Sequence, residues 1–181
     1  MSMQEKERDY SIFYANLTRG IRDCKNGRRW LVLADRLLAG VVYVAYPLML
    51  LFRFLQGIRS GENIGGAILA VLPEILVPGI SFLLLSAVRK KLNRKRPYED
   101  WEIDALIHRD GTGCSMPSRH VFSAAVIAMC ILRQNAVAGI FFLAIAAAIA
   151  VVRVFGGVHY PRDVIAGYLV GVAAGLLVFC W

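Results

Sequence analysis

No two cysteines in this chain are spaced for a metal or a redox site. Cys24, Cys114, Cys130 and Cys180 are scattered, with no CxxC among them, so neither a structural zinc nor a disulfide framework is implied. Cys130 and Cys180 fall inside apolar runs and read as small core residues. Acidic residues are few, 13 against 21 lysines and arginines, for a net charge of +8. That excess does not point to nucleic acid, because the arginines stand beside hydrophobic spans rather than on a soluble basic face. Contact with a membrane surface explains them better. The acidic residues that do cluster, Glu99, Asp100, Glu102, Asp104 and Asp110, fit no known metal loop. No metal or cofactor is expected, and that loop reads as a lid or an interfacial segment. No repeat at a period of roughly 20–50 residues is evident.

What the chain has in abundance is apolar length. Hydrophobic residues make up 57% of 181, with a mean hydropathy of +0.55, more than a soluble domain of this size carries. They lie in runs at about 31–53, 66–88, 117–133, 136–154 and 162–181, each near the ~20 residues that a bilayer core requires. The expected fold is all-α: one polytopic membrane bundle of about five transmembrane helices. Residues 1–29 differ. Tyr10, Phe13, Tyr14, Leu17 and Ile21 recur at helical spacing among Arg8, Arg19, Arg22 and Lys25. This predicts an interfacial amphipathic segment, with a frayed tail as the alternative, ahead of a transmembrane domain over 30–181. Because the first apolar run starts only near Trp30, no cleavable signal peptide is expected.

Within the spans, Asp35 and Arg36 are adjacent charges expected near the headgroups or against another helix. Glu74, beside Pro73, reads as a hydrogen-bonded structural carboxyl, since it lies about 22 Å along a helix from Arg89. Gly167, Gly171 and Gly175 form a small-residue seam suited to close packing inside the chain.

Three polar motifs interrupt the apolar pattern: Arg89 to Arg96-Pro97, then Pro117-Ser118-Arg119-His120, then Arg153, His159 and Asp163. Together they offer what phosphoryl transfer through a covalent histidine needs: fixed positive charge, two histidines and a carboxylate. Pro117 suits the first turn of a helix, whose free N–H groups and dipole attract an anion. Ser118 adds a hydroxyl donor. For Lys90, Lys91, Arg94 and Lys95 a solvated basic run against anionic headgroups is the better reading.

The order and spacing of these motifs resemble the type 2 phosphatidic acid phosphatase (PAP2) superfamily over about residues 64 to 181. Its pattern is Lys-x6-Arg-Pro, Pro-Ser-Gly-His and Ser-Arg-x5-His-x3-Asp. The resemblance implies an integral-membrane phosphatase acting on a lipid phosphate monoester or diphosphate, such as phosphatidylglycerophosphate, phosphatidic acid or a polyprenyl diphosphate. It casts His159 as the nucleophile, Asp163 as its orienting carboxylate and His120 as the acid for the leaving group. Arg89, Arg96, Ser118, Arg119 and Arg153 become the phosphate ligands. Three positions depart from the pattern: Arg89 stands for lysine, Arg119 for glycine and Val152 for serine. The alternatives are a membrane phosphotransferase built on the same site, or a non-enzymatic lipid-binding or transport protein.

Alternating spans bring all three motifs to one membrane face. Residues 1–29 and the 89–116 loop carry seven Lys/Arg each, whereas Arg53, Arg59 and Arg133 stand alone on the other face. This bias predicts a site and an N-terminus facing the cytoplasm, with Trp181 outside.

Overall fold

The computed structural model describes the backbone of residues 3–108 and 111–181, with side chains described from Tyr10 onward; the side chains of Lys6 and Arg8, and residues Arg109 and Asp110, lie outside it. Among the described residues the fold is entirely helical: α1 Met3–Asp23, α2 Gly27–Arg59, α3 Ile64–Leu92, α4 Pro97–Asp100, α5 Arg119–Gln134, α6 Ala136–Phe155 and α7 Pro161–Leu176, with a closing 3-10 turn Leu177–Cys180. Local chemistry sets the ends. Asn63 and Asn135 accept from the N–H groups of Gly66 and Ala138 at 2.8 and 2.9 Å, satisfying orphan donors at the starts of α3 and α6. Asn93 closes α3 in a left-handed conformation, φ 37°, and Pro161 opens α7.

By length and hydropathy α2, α3, α6 and α7 with its 3-10 turn can each cross a bilayer. Their outward faces, with Leu48, Phe52, Leu83, Phe141 and Leu169 exposed, form the lipid-facing surface. The third apolar run, α5, is the buried centre. Its sixteen residues extend about 24 Å, matching the length of α3 from Arg89, beside the 114–117 loop, to Glu74, beside Arg133. Val121, Ala124, Ala125, Ile127 and Ile131 of α5 pack with Val42, Ile145, Ile149 and Val164.

Close approach of α7 depends on its glycines. A Cβ at Gly167 would come within 2.6 Å of the Ser118 carbonyl oxygen, and one at Gly175 within 2.3 Å of Met129 Cβ. The small-residue seam thus seats α7 against α5. At the far end Glu74, fully buried, accepts from Arg133 Nη1 at 3.0 Å and Gln134 Nε2 at 2.8 Å. It ties α3 to the end of α5, a structural role.

One boundary differs from the sequence reading. Pro117 does not occupy the first turn of α5; it precedes the helix, after a cis Met116–Pro117 bond, and Ser118 is the N-cap. The cause is α7: Ser118 N–H donates to the Asp163 carbonyl at 2.9 Å. That bond holds Ser118 in an extended conformation, φ −69° and ψ 116°, so helical geometry begins at Arg119.

The amphipathic segment is a docked helix. Tyr14 and Thr18 are buried, while Ile12 and Phe13 face outward. Tyr14 Oη donates to the Phe155 carbonyl at 2.9 Å and accepts from Leu106 N–H at 3.3 Å. Gly157 (φ 73°) leaves room for it, since a Cβ there would lie 2.7 Å from that hydroxyl. An Arg22–Asp104 ion pair at 2.6 Å and ring contacts of Tyr10 with Trp101 and Tyr160, at 5.4 and 5.2 Å between centroids, complete the contact. α1 therefore lies across the motif-bearing end of the bundle.

Candidate active site

His159 sits in the turn between α6 and α7, and Asp163 sits one helical turn later in α7. Both are buried, at 1% and 0% exposure. Ser115, a residue outside the three motifs, links them. Its hydroxyl donates to Asp163 Oδ2 at 2.5 Å and lies 3.3 Å from His159 Nδ1, while Asp163 Oδ2 stands 3.8 Å from that nitrogen. With its proton committed to Asp163, the Ser115 oxygen can accept from Nδ1–H, which leaves the lone pair on Nε2. Asp163 Oδ2 also accepts from Tyr160 N–H at 3.3 Å, fixing the carboxylate at the start of α7.

Burial pushes the His159 pKa down from 6.5 to about 4, with the charges of Arg96 and Arg89 acting in the same direction and Asp163 opposing them. The imidazole is therefore neutral at physiological pH, the state that attack on phosphorus requires.

A first cavity of about 450 Å³ opens beside this group, lined by Arg89, Lys90, Arg96 and Arg119 and by the 111–114 loop. Arg89 is also engaged with that loop. Its Nη1 donates to the carbonyls of Ser115 (3.3 Å) and Pro117, and its Nη2 donates to that of Cys114. Arg96 Nε donates to the Gly113 carbonyl at 3.2 Å and Nη1 to that of Val158 at 3.3 Å. Glu99 locks the loop from the other side, accepting from Gly113 N–H at 2.7 Å and Arg96 N–H at 2.6 Å. Two motif arginines thus shape the loop they border. Ser118 Oγ is buried and makes no hydrogen bond among the described residues.

His120 and Arg153 line a second cavity, about 510 Å³, with Arg28, Asp35, Arg36 and His108. Consecutive residues Arg119 and His120 thus face different cavities. His159 itself is a lining residue of neither, but its neighbour Val158 is bonded to an arginine of each: the Val158 carbonyl accepts from Arg96 Nη1, and the Val158 N–H donates to the Arg153 carbonyl at 3.3 Å. Asp35 is the partner that the sequence did not assign. Its Oδ1 lies 2.8 Å from Arg153 Nε, an ion pair too oblique for a hydrogen bond. A carboxylate inside an apolar span is the signal that could have marked it.

Comparison with known proteins agrees with this architecture. The family profile of the PAP2 superfamily matches residues 70–181. The structure is similar to Aquifex aeolicus LpxE, with a TM-score of 0.69, 22% identity and 93% of each chain covered. It is also similar to the first transmembrane PAP2 type phosphatidylglycerolphosphate phosphatase from Bacillus subtilis, with a TM-score of 0.54, 20% identity, and 93% of this chain and 92% of that one covered. Over 65 residues the sequence is 40% identical to the bacitracin transport permease protein BcrC of Bacillus licheniformis, a match covering 36% of this chain and only 32% of that protein. With the motifs, the helical bundle and the family profile in register, the chain belongs to the PAP2 superfamily.

Proposed function

We propose that the protein is an integral-membrane lipid phosphatase working through a phosphohistidine on His159. The observation that carries this reading is the buried His159–Ser115–Asp163 group, in a turn whose Val158 is hydrogen-bonded to Arg96 and Arg153, at the arginine-rich end of an apolar bundle. Nε2 of His159 attacks phosphorus, while Ser115 and Asp163 hold Nδ1–H and stabilise the positive charge that develops on the ring. Arginines at the cavities neutralise the phosphoryl oxygens, and guanidinium forks suit paired oxygens. His120 protonates the departing oxygen and then takes a proton from the water that attacks the phosphohistidine, returning His159 to its starting state. The lipid tail remains in the bilayer throughout, because the site lies at the end of the apolar helices.

On the Lys/Arg bias, the site faces the cytoplasm and the substrate is a lipid phosphate of the inner leaflet. The substrate-level test is phosphate release by purified protein from a panel comprising phosphatidic acid, phosphatidylglycerophosphate and a polyprenyl diphosphate. Release from at least one is expected, and release that His159→Ala leaves unchanged would refute the reading.

A further inference from the structure

The turn that carries His159 is held from outside the two helices it joins. A helix leaves its last carbonyls without partners of its own, and after α6 some are taken up locally. Val152 accepts from Gly156 N–H at 2.8 Å, Arg153 from Val158 N–H at 3.3 Å and Val154 from Gly157 N–H at 3.0 Å. The carbonyls of Phe155, Gly156 and Val158 are met by other parts of the chain. Phe155 accepts from Tyr14 Oη of α1 at 2.9 Å, Gly156 from Ile107 N–H at 3.0 Å, and Val158 from Arg96 Nη1 at 3.3 Å. Arg96 belongs to the motifs; Tyr14 and Ile107 do not. Tyr14 also holds the residue beside Ile107, since its hydroxyl accepts from Leu106 N–H at 3.3 Å. One buried hydroxyl therefore joins the loop before residue 108 to the turn ahead of His159.

Past His159, α1 makes a second contact. Tyr10 stands one helical turn before Tyr14, on the same side of the helix. Its ring lies 5.2 Å from that of Tyr160 and 5.4 Å from that of Trp101. Tyr160 is fastened in turn, its hydroxyl accepting from Trp101 Nε1 at 2.6 Å and donating to Asp100 Oδ2 at 3.1 Å. Arg22 anchors the end of α1 to the same loop, its Nη1 donating to Asp104 Oδ2 at 2.6 Å. The two tyrosines thus touch the chain on both sides of His159, from a helix that precedes the residues matched by the family profile.

We infer that α1 positions the nucleophile: Tyr10 and Tyr14 hold the residues on either side of His159, and Tyr14, through its hydroxyl, is a positioning residue for the attack on phosphorus. The inference rests on the proposed phosphatase reading and adds an element that the three motifs do not contain. Ser115 and Asp163 fix the rotation of the imidazole at Nδ1, whereas the backbone of the turn sets how far Nε2 stands from the phosphate. Without the Tyr14 hydroxyl, the Phe155 carbonyl and the buried Leu106 N–H both lose a partner, and each regains one only if the turn or the loop shifts. A shift of roughly 1 Å in a reacting group slows chemistry by as much as about a hundredfold.

The test uses the full chain in nanodiscs with Tyr14→Phe, which keeps the ring that packs against Gly157 and removes only the hydroxyl. Glu74→Gln is the comparison, because it weakens a buried bond at the opposite end of the bundle and touches nothing in the turn. Phosphohistidine formation in a single turnover, on whichever lipid phosphate the wild type hydrolyses, should slow about tenfold in Tyr14→Phe, less than the limit for a full ångström of misplacement. KM and the affinity for orthophosphate should stay within about twofold, because no phosphate ligand has changed. The ring-carbon NMR signal of His159, assigned with His159→Asn, should move. Glu74→Gln should lower Tm at least as far and leave both the rate and that signal in place. A rate loss in Tyr14→Phe no larger than that of Glu74→Gln, or a loss confined to KM and phosphate affinity, overturns the inference. A His159 signal indifferent to Tyr14→Phe overturns it whatever the rate does. If the wild type releases no phosphate from any lipid, the phosphatase reading falls, and the signal alone decides whether α1 sets the place of His159.

Discussion

Asp35 Oδ1 of α2 lies 2.8 Å from Arg153 Nε at the end of α6. The relationship joins a helix outside the PAP2 motifs to an arginine within them. Both residues are buried, Arg153 at 2% and Asp35 at 8% exposure, so each charge helps to compensate the other. Removing one partner of such a pair leaves an uncompensated charge in a low-dielectric setting.

Asp35→Asn should therefore destabilise the protein by about 3 kcal/mol, the low end for a broken buried pair, and reduce kcat/KM as Arg153 loses its anchor. Asp35→Glu should recover part of both. Thermal unfolding in detergent beside the hydrolysis assay reads the two effects, and a Tm indifferent to Asp35→Asn would show that the pair contributes nothing to the fold.

Ser115 gives a second prediction. Its hydroxyl touches both Asp163 and His159, so Ser115→Ala should let the imidazole turn away from its attacking position. About tenfold is expected in kcat, the equivalent of roughly 1.4 kcal/mol, with KM little changed because the phosphate ligands remain. A rise in KM alone would place Ser115 among the binding groups instead.

These two residues also mark where the sequence stopped being informative. Hydropathy located the long helices because each had to supply an apolar face to lipid or core, and Asn135 alone separates α5 from α6, at the expected turn. His159, Asp163 and Arg96 could be singled out as candidates because three short motifs kept a recognisable spacing. Ser115 stood in an aperiodic loop, where nothing in the spacing reveals that a hydroxyl will meet a residue 48 positions later. Asp35 was visible as a charge in an apolar span, but its partner on α6 is a tertiary fact. Pro117 misled for a related reason: local propensity favours a helix start there, and a hydrogen bond from α7 overrides it. In α1 the aromatic spacing was legible, and the docking of Tyr14 onto Phe155 and Leu106 was not.

A third prediction concerns protonation. Because burial lowers the His159 pKa to about 4, its ring should stay neutral as pH falls through 6.5, where an exposed histidine gains its proton. It should charge only as pH approaches 4. Ring-carbon NMR of labelled histidine, with His159→Asn to assign the signal, reads this directly. Titration of that resonance near 6.5 would contradict the buried, neutral nucleophile.

Topology is the fourth. Cys24 is exposed and Cys114 partly exposed, both at the motif-bearing end. If the site faces the cytoplasm, a membrane-impermeant thiol reagent should leave both unlabelled in intact cells and label Cys24 once the cells are opened. Labelling of either before lysis would reverse the orientation and direct the enzyme to an outer-leaflet lipid.

The most direct measurement of the central claim is capture of the intermediate itself. Wild-type protein mixed with 32P-labelled substrate and quenched rapidly should carry acid-labile, base-stable phosphate, mapped to His159 by mass spectrometry under alkaline conditions. His159→Ala, inserted and folded, should carry none and should not turn over. Turnover by the wild type with no phosphate on His159 at any quench time, in a trap shown to preserve a phosphohistidine standard, would contradict covalent catalysis at this residue.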